Sequence, residues 1–163
     1  MCPLDASDHG PAERRLADLL ARAAFVVVQG FADELRRRGA SLPVWRVLAA
    51  LLARPGETVT GLAEACLLQQ PTTTKLLDRM VRDRLVARAQ DARDRRVVRL
   101  ALTRDGEAKA AELAAVAERH EAEVLARHPE AAAIKPALLA IIAGTAPTRQ
   151  GGGGGGGPGE GGA

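Results

Sequence analysis

Four side chains that can donate hydrogen bonds to nucleic acid, Thr72, Lys75, Arg79 and Arg82, recur at intervals of three, four and three residues. On a helix this spacing gathers them on one face, because each residue turns the chain by about 100°. Thr73, Leu76, Leu77, Met80 and Val81 fall on the opposite side. A helix with an apolar back and a Thr/Lys/Arg front suits the major groove of DNA. There Arg or Lys donates to guanine, and Thr contacts bases or phosphate. A solvated amphipathic helix of no special purpose has the same pattern, so this face alone does not decide. Asp78 lies at its edge and would be repelled by phosphate unless paired; Arg82, four residues on, is the nearest candidate.

A second charged cluster, Asp91-Ala92-Arg93-Asp94-Arg95-Arg96, puts three arginines and two aspartates into six residues. A hairpin tip asks only for Gly, Asn or Pro, so turn chemistry does not explain this density of charge. An arginine on a projecting tip can enter the narrow minor groove, and aspartates can brace the tip by pairing with neighbouring arginines. A salt-bridged exposed loop is the other account. Net charge is only +3, but residues 58–104 carry 10 Lys/Arg against 5 Asp/Glu. Residues 1–57 are nearly balanced at 8 against 7, and residues 105–163 are acidic at 5 against 8. A basic excess confined to the middle is the footprint of a docked phosphate backbone; the alternative is a chain simply rich in arginine and alanine.

The elements that must position these clusters follow from hydrophobic period. Leu16, Leu19, Leu20, Ala23, Val27, Phe31 and Leu35 predict one long helix over 12–38, with Gly30 inside it and Gly39 closing it. A second helix follows Pro43 and stops at Pro55-Gly56. A third starts after Thr60 as N-cap and carries Leu62, Ala63, Cys66 and Leu67. A fourth opens at Pro71 and runs to about Arg84. Val98, Leu100 and Leu102 then alternate with Val97, Arg99 and Ala101, a strand pattern, with Leu85–Ala89 as antiparallel partner and Gln90–Arg95 as the turn. After Thr103 a long helix covers about 105–127, and a last one, 130–144, is broken or begun near Pro136. Two short helices followed by a two-stranded hairpin make a winged helix-turn-helix, so the fold class is mainly α with about six helices and a two-stranded wing.

Composition narrows the function further. The chain has 163 residues, 47% of them hydrophobic, which is one domain with a real core. Aromatics are 2%, too few for a base-stacking platform that grips single strands. Cys2 and Cys66 cannot build a disulfide framework or a Cys-rich zinc site. Residues 1–11 read as a flexible lead, and 147–163, with its glycine run, as a disordered tail. The first residues lack a secretory pattern, and the longest apolar runs, Ala23–Val28 and Ala137–Ala143, are too short for a membrane span. A cytoplasmic protein with no membrane partner is expected.

The segment DARDRRVVRLALTRDG resembles the D-x-R-D-x-R…L-T-x-x-G signature of the multiple antibiotic resistance regulator (MarR) family. Asp91, Arg93, Asp94, Arg96, Leu102, Thr103 and Gly106 stand in its places. LLQQPTTTKLLDRMVRDRLVAR is similar to the family's recognition helix running into its first wing strand, and Trp45-Arg46-Val47-Leu48 to its second-helix pattern. The resemblance covers about 15–145. It implies a transcriptional regulator, often a repressor released by a small, frequently aromatic, effector. It also implies a homodimer built from helices 12–38 and 105–144 around a DNA-binding lobe of about 42–104. Its operator would be pseudo-palindromic double-stranded DNA, with half-sites about one helical turn, ~10 bp, apart. Carried over by position, Thr72, Lys75 and Arg79 go to the major groove and Arg93 and Arg95 to the wing tip, while Asp91 and Arg96 hold the wing's shape. The effector site is not identified.

No cofactor is called for. Cys66 reads as a small core residue on the apolar face of the third helix, and the absence of tyrosine departs from the oxidant-sensing branch of the family. His9, His120 and His128 lack metal-ligand spacing and sit in charged contexts that favour exposure. There is no G-x-S-x-G, H-E-x-x-H, P-loop or dinucleotide fingerprint, so an enzyme is not expected. The better rival is a winged helix serving only protein interaction, which the fold permits.

Overall fold

Backbone conformation at three helix ends sets the plan of the molecule. A computed structural model describes residues 15–145. The lead expected over 1–11, the tail over 147–163, Cys2 and His9 lie outside those residues. Helix α1 (Leu16–Arg37) closes with Gly39 at φ +68°. The Ala40 N–H donates to Leu35 O and the Gly39 N–H to Arg36 O, both at 3.0 Å, which is the paired cap that a left-handed residue makes possible. Helix α2 spans Leu42–Ala53, α3 Val59–Ala65 and α4 Gln70–Arg82.

Helices α3 and α4 end with the same paired cap but without glycine. Leu67 at φ 55° and Arg84 at φ 57° occupy the left-handed position. Leu68 N–H reaches Ala63 O and Leu85 N–H reaches Met80 O, each at 2.9 Å. A side chain in this region costs roughly 1–2 kcal/mol, partly offset by the extra chain entropy glycine would lose on folding. Leu67 is 83% exposed and packs little. Leu67→Gly is therefore expected to stabilise the fold by about 0.5–1 kcal/mol, seen as a higher urea midpoint with an unchanged slope. A lower midpoint would contradict it.

Two sequence expectations shift. The N-cap of α3 is Thr58, not Thr60. Thr58 has the extended backbone a cap needs and its hydroxyl accepts the Gly61 N–H at 3.1 Å, whereas Thr60 lies inside the helix and accepts from Gln70 Nε2. The wing strands are β1 (Val86–Gln90) and β2 (Val98–Leu102), antiparallel with Val86 opposite Leu102, so the turn runs over 91–97. A single bridge adds Glu57 to the outer side of β2, with Gly56 N–H on Leu100 O and Leu100 N–H on Glu57 O, both 2.9 Å. Helix α5 (Arg104–Arg127) is capped by Thr103, whose hydroxyl accepts the Gly106 N–H at 3.0 Å.

Between α1, α2, α3, α4, the wing and the first half of α5 lies one core. Leu35, Val47, Leu48, Leu51, Leu62, Leu77, Met80, Leu100 and Leu113 are essentially sealed from solvent. Thr73 is buried with them and donates its hydroxyl to Gln69 O at 3.0 Å, so no polar atom is orphaned there. Cys66 is buried too, and burial pushes its thiol up from the ordinary range, as an inert core residue requires.

His120 departs from the expected exposure. Its ring stacks on Phe31 at 5.6 Å, its Nε2 donates to Val27 O at 2.9 Å, and it is half-buried. Gly30 makes this packing possible, since a Cβ there would stand 3.0 Å from His120 Cε1. The glycine inside α1 is thus the seat of a side chain from α5.

The contact pattern divides the chain into two units at Val124, and the second is described by itself. It holds the end of α5 and α6 (Ala131–Thr145), which runs through Pro136 without a break. Ile134, Leu139, Ile141 and Ile142 of α6 are exposed. No helix among the described residues is long and apolar enough to cross a membrane.

Candidate nucleic-acid interface

Helix α4 is held by its apolar side, where Thr73, Leu76, Leu77 and Met80 are buried. Thr72, Lys75, Arg79 and Arg82 are consequently all exposed. They line one groove of about 330 Å³ with Ser41 and Pro43 at the start of α2. The side chains of Lys75, Arg79 and Arg82 have no hydrogen-bond or ion-pair partner among the described residues, so their donors are free for a ligand. Asp78 is neutralised, but by Arg88 of β1 at 2.7 Å rather than by Arg82. Strand β1 follows α4 directly and carries Arg88 back alongside it, which a spacing rule confined to one helix does not register. The pair ties α4 to the wing.

In the wing turn, Asp91 does more than pair. Its Oδ1 accepts the N–H groups of Arg93 at 2.8 Å and Asp94 at 3.1 Å, while Oδ2 accepts from Arg99 Nε at 2.7 Å. Asp94 in turn accepts the Arg96 N–H at 2.9 Å. The bracing expected between aspartates and the neighbouring arginines is thus made to backbone, a short turn motif that an aspartate supports. The guanidinium of Arg96 takes no part in it, and Arg99, which looked like the polar half of a strand alternation, does. Arg93, Arg95 and Arg96 are exposed and their side chains have no partner among the described residues. Three unpaired cations therefore stand on a turn whose backbone is fixed.

The N–H groups of Arg93 and Asp94 and the guanidinium of Arg99 hold the Asp91 carboxyl below the usual carboxylate range, the Arg93 N–H contributing most. A lowered value in the folded state means that the carboxylate's contribution is complete above the unfolded value. It is lost as pH falls through the lower, folded value. Amide resonances of Arg93 and Asp94 should accordingly titrate with a midpoint below about 3.9. A midpoint at or above that value would contradict the bonding.

Where the wing ends, Thr103 and Gly106 lock it to α5. Thr103 N–H donates to Leu85 O at 3.1 Å and its hydroxyl donates to Arg84 O. Gly106 is buried against the Leu85 carbonyl, with no room for a side chain. Among the described residues no cluster of His, Cys, Asp and Glu is arranged to hold a metal ion.

A family model described as the MarR family matches residues 38–97, from the end of α1 to the wing turn. A MarR family transcriptional regulator from Silicibacter pomeroyi is 35% identical, with a TM-score of 0.74 over 83% of this chain and 98% of that one. The chain belongs to the MarR family. The MarR signature now has a physical reading: Asp91 and Asp94 hold the wing turn, Thr103 caps α5, and Gly106 permits its close approach to Leu85. Similar in fold as well is the transcriptional repressor CouR, solved bound to a 23-mer DNA duplex. It is 27% identical, with a TM-score of 0.70 over 83% of this chain and 94% of that one. The homoprotocatechuate degradative operon repressor of Escherichia coli is 29% identical over 89 residues, 55% of this chain. The match spans only 60% of that relative's length.

Proposed function

We propose that the protein is a transcriptional regulator that binds operator DNA as a homodimer and acts as a repressor relieved by a small ligand. One observation carries the DNA-binding reading: Lys75, Arg79 and Arg82 on α4, and Arg93 and Arg95 on the adjoining wing turn, are exposed cations without partners among the described residues, on elements whose other faces are fixed. Helix α4 enters the major groove, with Thr72, Lys75 and Arg79 reaching bases and phosphate. The wing reaches the flanking minor groove. A relative solved on duplex DNA and another named as an operon repressor support DNA binding and repression.

In this scheme residues 42–104 form the DNA-binding lobe, and 12–38 with 105–144 dimerise. Leu16, Leu19, Phe25 and Val26 of α1 and Ile134, Leu139 and Ile142 of α6 are exposed apolar residues in need of a partner surface. Twofold symmetry then sets half-sites about one helical turn, ~10 bp, apart.

Gel shift and sedimentation test this together. The expected result is a dimer at micromolar concentration that retards the DNA flanking its own gene, with affinity falling as salt rises. A dimer with no salt-sensitive binding to any such DNA would make the protein an interaction module instead. A folded monomer would remove the basis of the symmetric operator.

A further inference from the structure

Arg99 lies on β2 opposite Ala89, outside the wing turn itself. Its guanidinium makes two contacts of different kinds. Nε donates to the Asp91 carboxylate at 2.7 Å, and Nη1 donates to the carbonyl of Gly56 at 3.1 Å. Gly56 belongs to the connection between α2 and α3 and is itself pinned to β2, its N–H on Leu100 O at 2.9 Å and its φ at +81°. Asp91 holds the backbone of Arg93 and Asp94. One planar side chain therefore joins the turn that carries the wing cations to the loop that leads into the helix-turn-helix.

We infer that Arg99 is a positioning residue that sets the wing's approach to DNA by clamping Asp91 and Gly56 at once; this rests on the wing contacting DNA as proposed above. A guanidinium can donate from two fixed nitrogens to two acceptors, whereas an ammonium is a single point of charge. The clamp is partly exposed, and exposed ion pairs add little to global stability, so its consequence is geometric. Charge counting gives the opposite expectation for Asp91. Removing a carboxylate from a DNA-facing turn should tighten binding by relieving repulsion. With the clamp in place, Asp91→Asn loses the ionic hold on Arg99 and weakens it.

Fluorescence anisotropy on a duplex from the DNA flanking the protein's own gene, at three salt concentrations, tests this with five variants. They are Arg99→Met, Arg99→Lys, Asp91→Asn, the double change Arg93→Ala with Arg95→Ala, and that double change combined with Arg99→Met. The expected results are a loss of roughly tenfold for Arg99→Met and a salt slope lower by about two for the double variant. Adding Arg99→Met to the double variant should bring no further loss, because a residue acting only through the wing has nothing left to act on. Asp91→Asn should weaken binding, with melting temperatures of all variants within a few degrees of the parent. Arg99→Lys should restore only part of the affinity. Additive loss in the wing-deficient background would make Arg99 a direct phosphate contact, and tighter binding by Asp91→Asn would equally overturn the clamp. If the double variant binds like the parent, the wing does not contact DNA and both readings fall. If it weakens while Arg99→Met does not, only the clamp falls.

Discussion

Gly106→Ala should lower the melting temperature by roughly 10 °C, the largest effect expected of any single methyl group in this chain. A Cβ at Gly106 would stand 2.9 Å from the carbonyl carbon of Leu85 and nearer still to its oxygen. Both partners are backbone. Leu85 cannot retreat, because its N–H completes the α4 cap and its carbonyl accepts from Thr103. Nor can α5 retreat without breaking the Thr103 cap and exposing Ala110 and Leu113. Overpacking a well-filled site costs about 1–3 kcal/mol, and a clash with fixed backbone belongs at the upper end. A Gly106→Ala variant melting within a few degrees of the parent would show that the wing and α5 do not meet as described.

The second large effect separates the two DNA-contacting elements. Arg79→Ala or Lys75→Ala should relax preference at one symmetric pair of operator positions, because a good bidentate contact to a base is worth roughly 1–3 kcal/mol of discrimination. Arg95→Ala should weaken operator and scrambled DNA about evenly and reduce the salt slope by about one. The free donors on α4 and the partnerless guanidinium on the wing motivate this division. Isotherms at three salt concentrations on both duplexes decide it. An Arg95→Ala variant that loses only sequence preference, with its salt slope intact, would mean that the wing reads bases.

Much of this molecule is legible in its sequence where a feature is local. The order of helices and wing follows from apolar period, and the exposure of Thr72, Lys75, Arg79 and Arg82 from a spacing that the burial of Thr73, Leu76, Leu77 and Met80 matches. Thr103 and Gly106 carry a motif. What escapes the sequence is set by partners far along the chain or by backbone states that leave no mark in residue type. Leu67 and Arg84 cap helices in a conformation usually given to glycine, so residue type did not announce their left-handed backbone. The Glu57–Leu100 bridge is one residue long and has no period to detect. Asp78 meets Arg88, and His120 meets Val27 and Gly30, only once separate elements pack. Arg99 looked like a solvated strand position because its two acceptors come from different loops.

Selection from a randomised duplex library by the full chain, followed by sequencing of the bound fraction, is the most direct test of a dimer that reads DNA through α4 and the wing. The expected outcome is enrichment of an inverted repeat whose half-sites are centred about one helical turn, ~10 bp, apart, with the enriched preference relaxed at one symmetric pair by Arg79→Ala or Lys75→Ala. An unenriched library, or a single asymmetric half-site unaffected by either substitution, would contradict it.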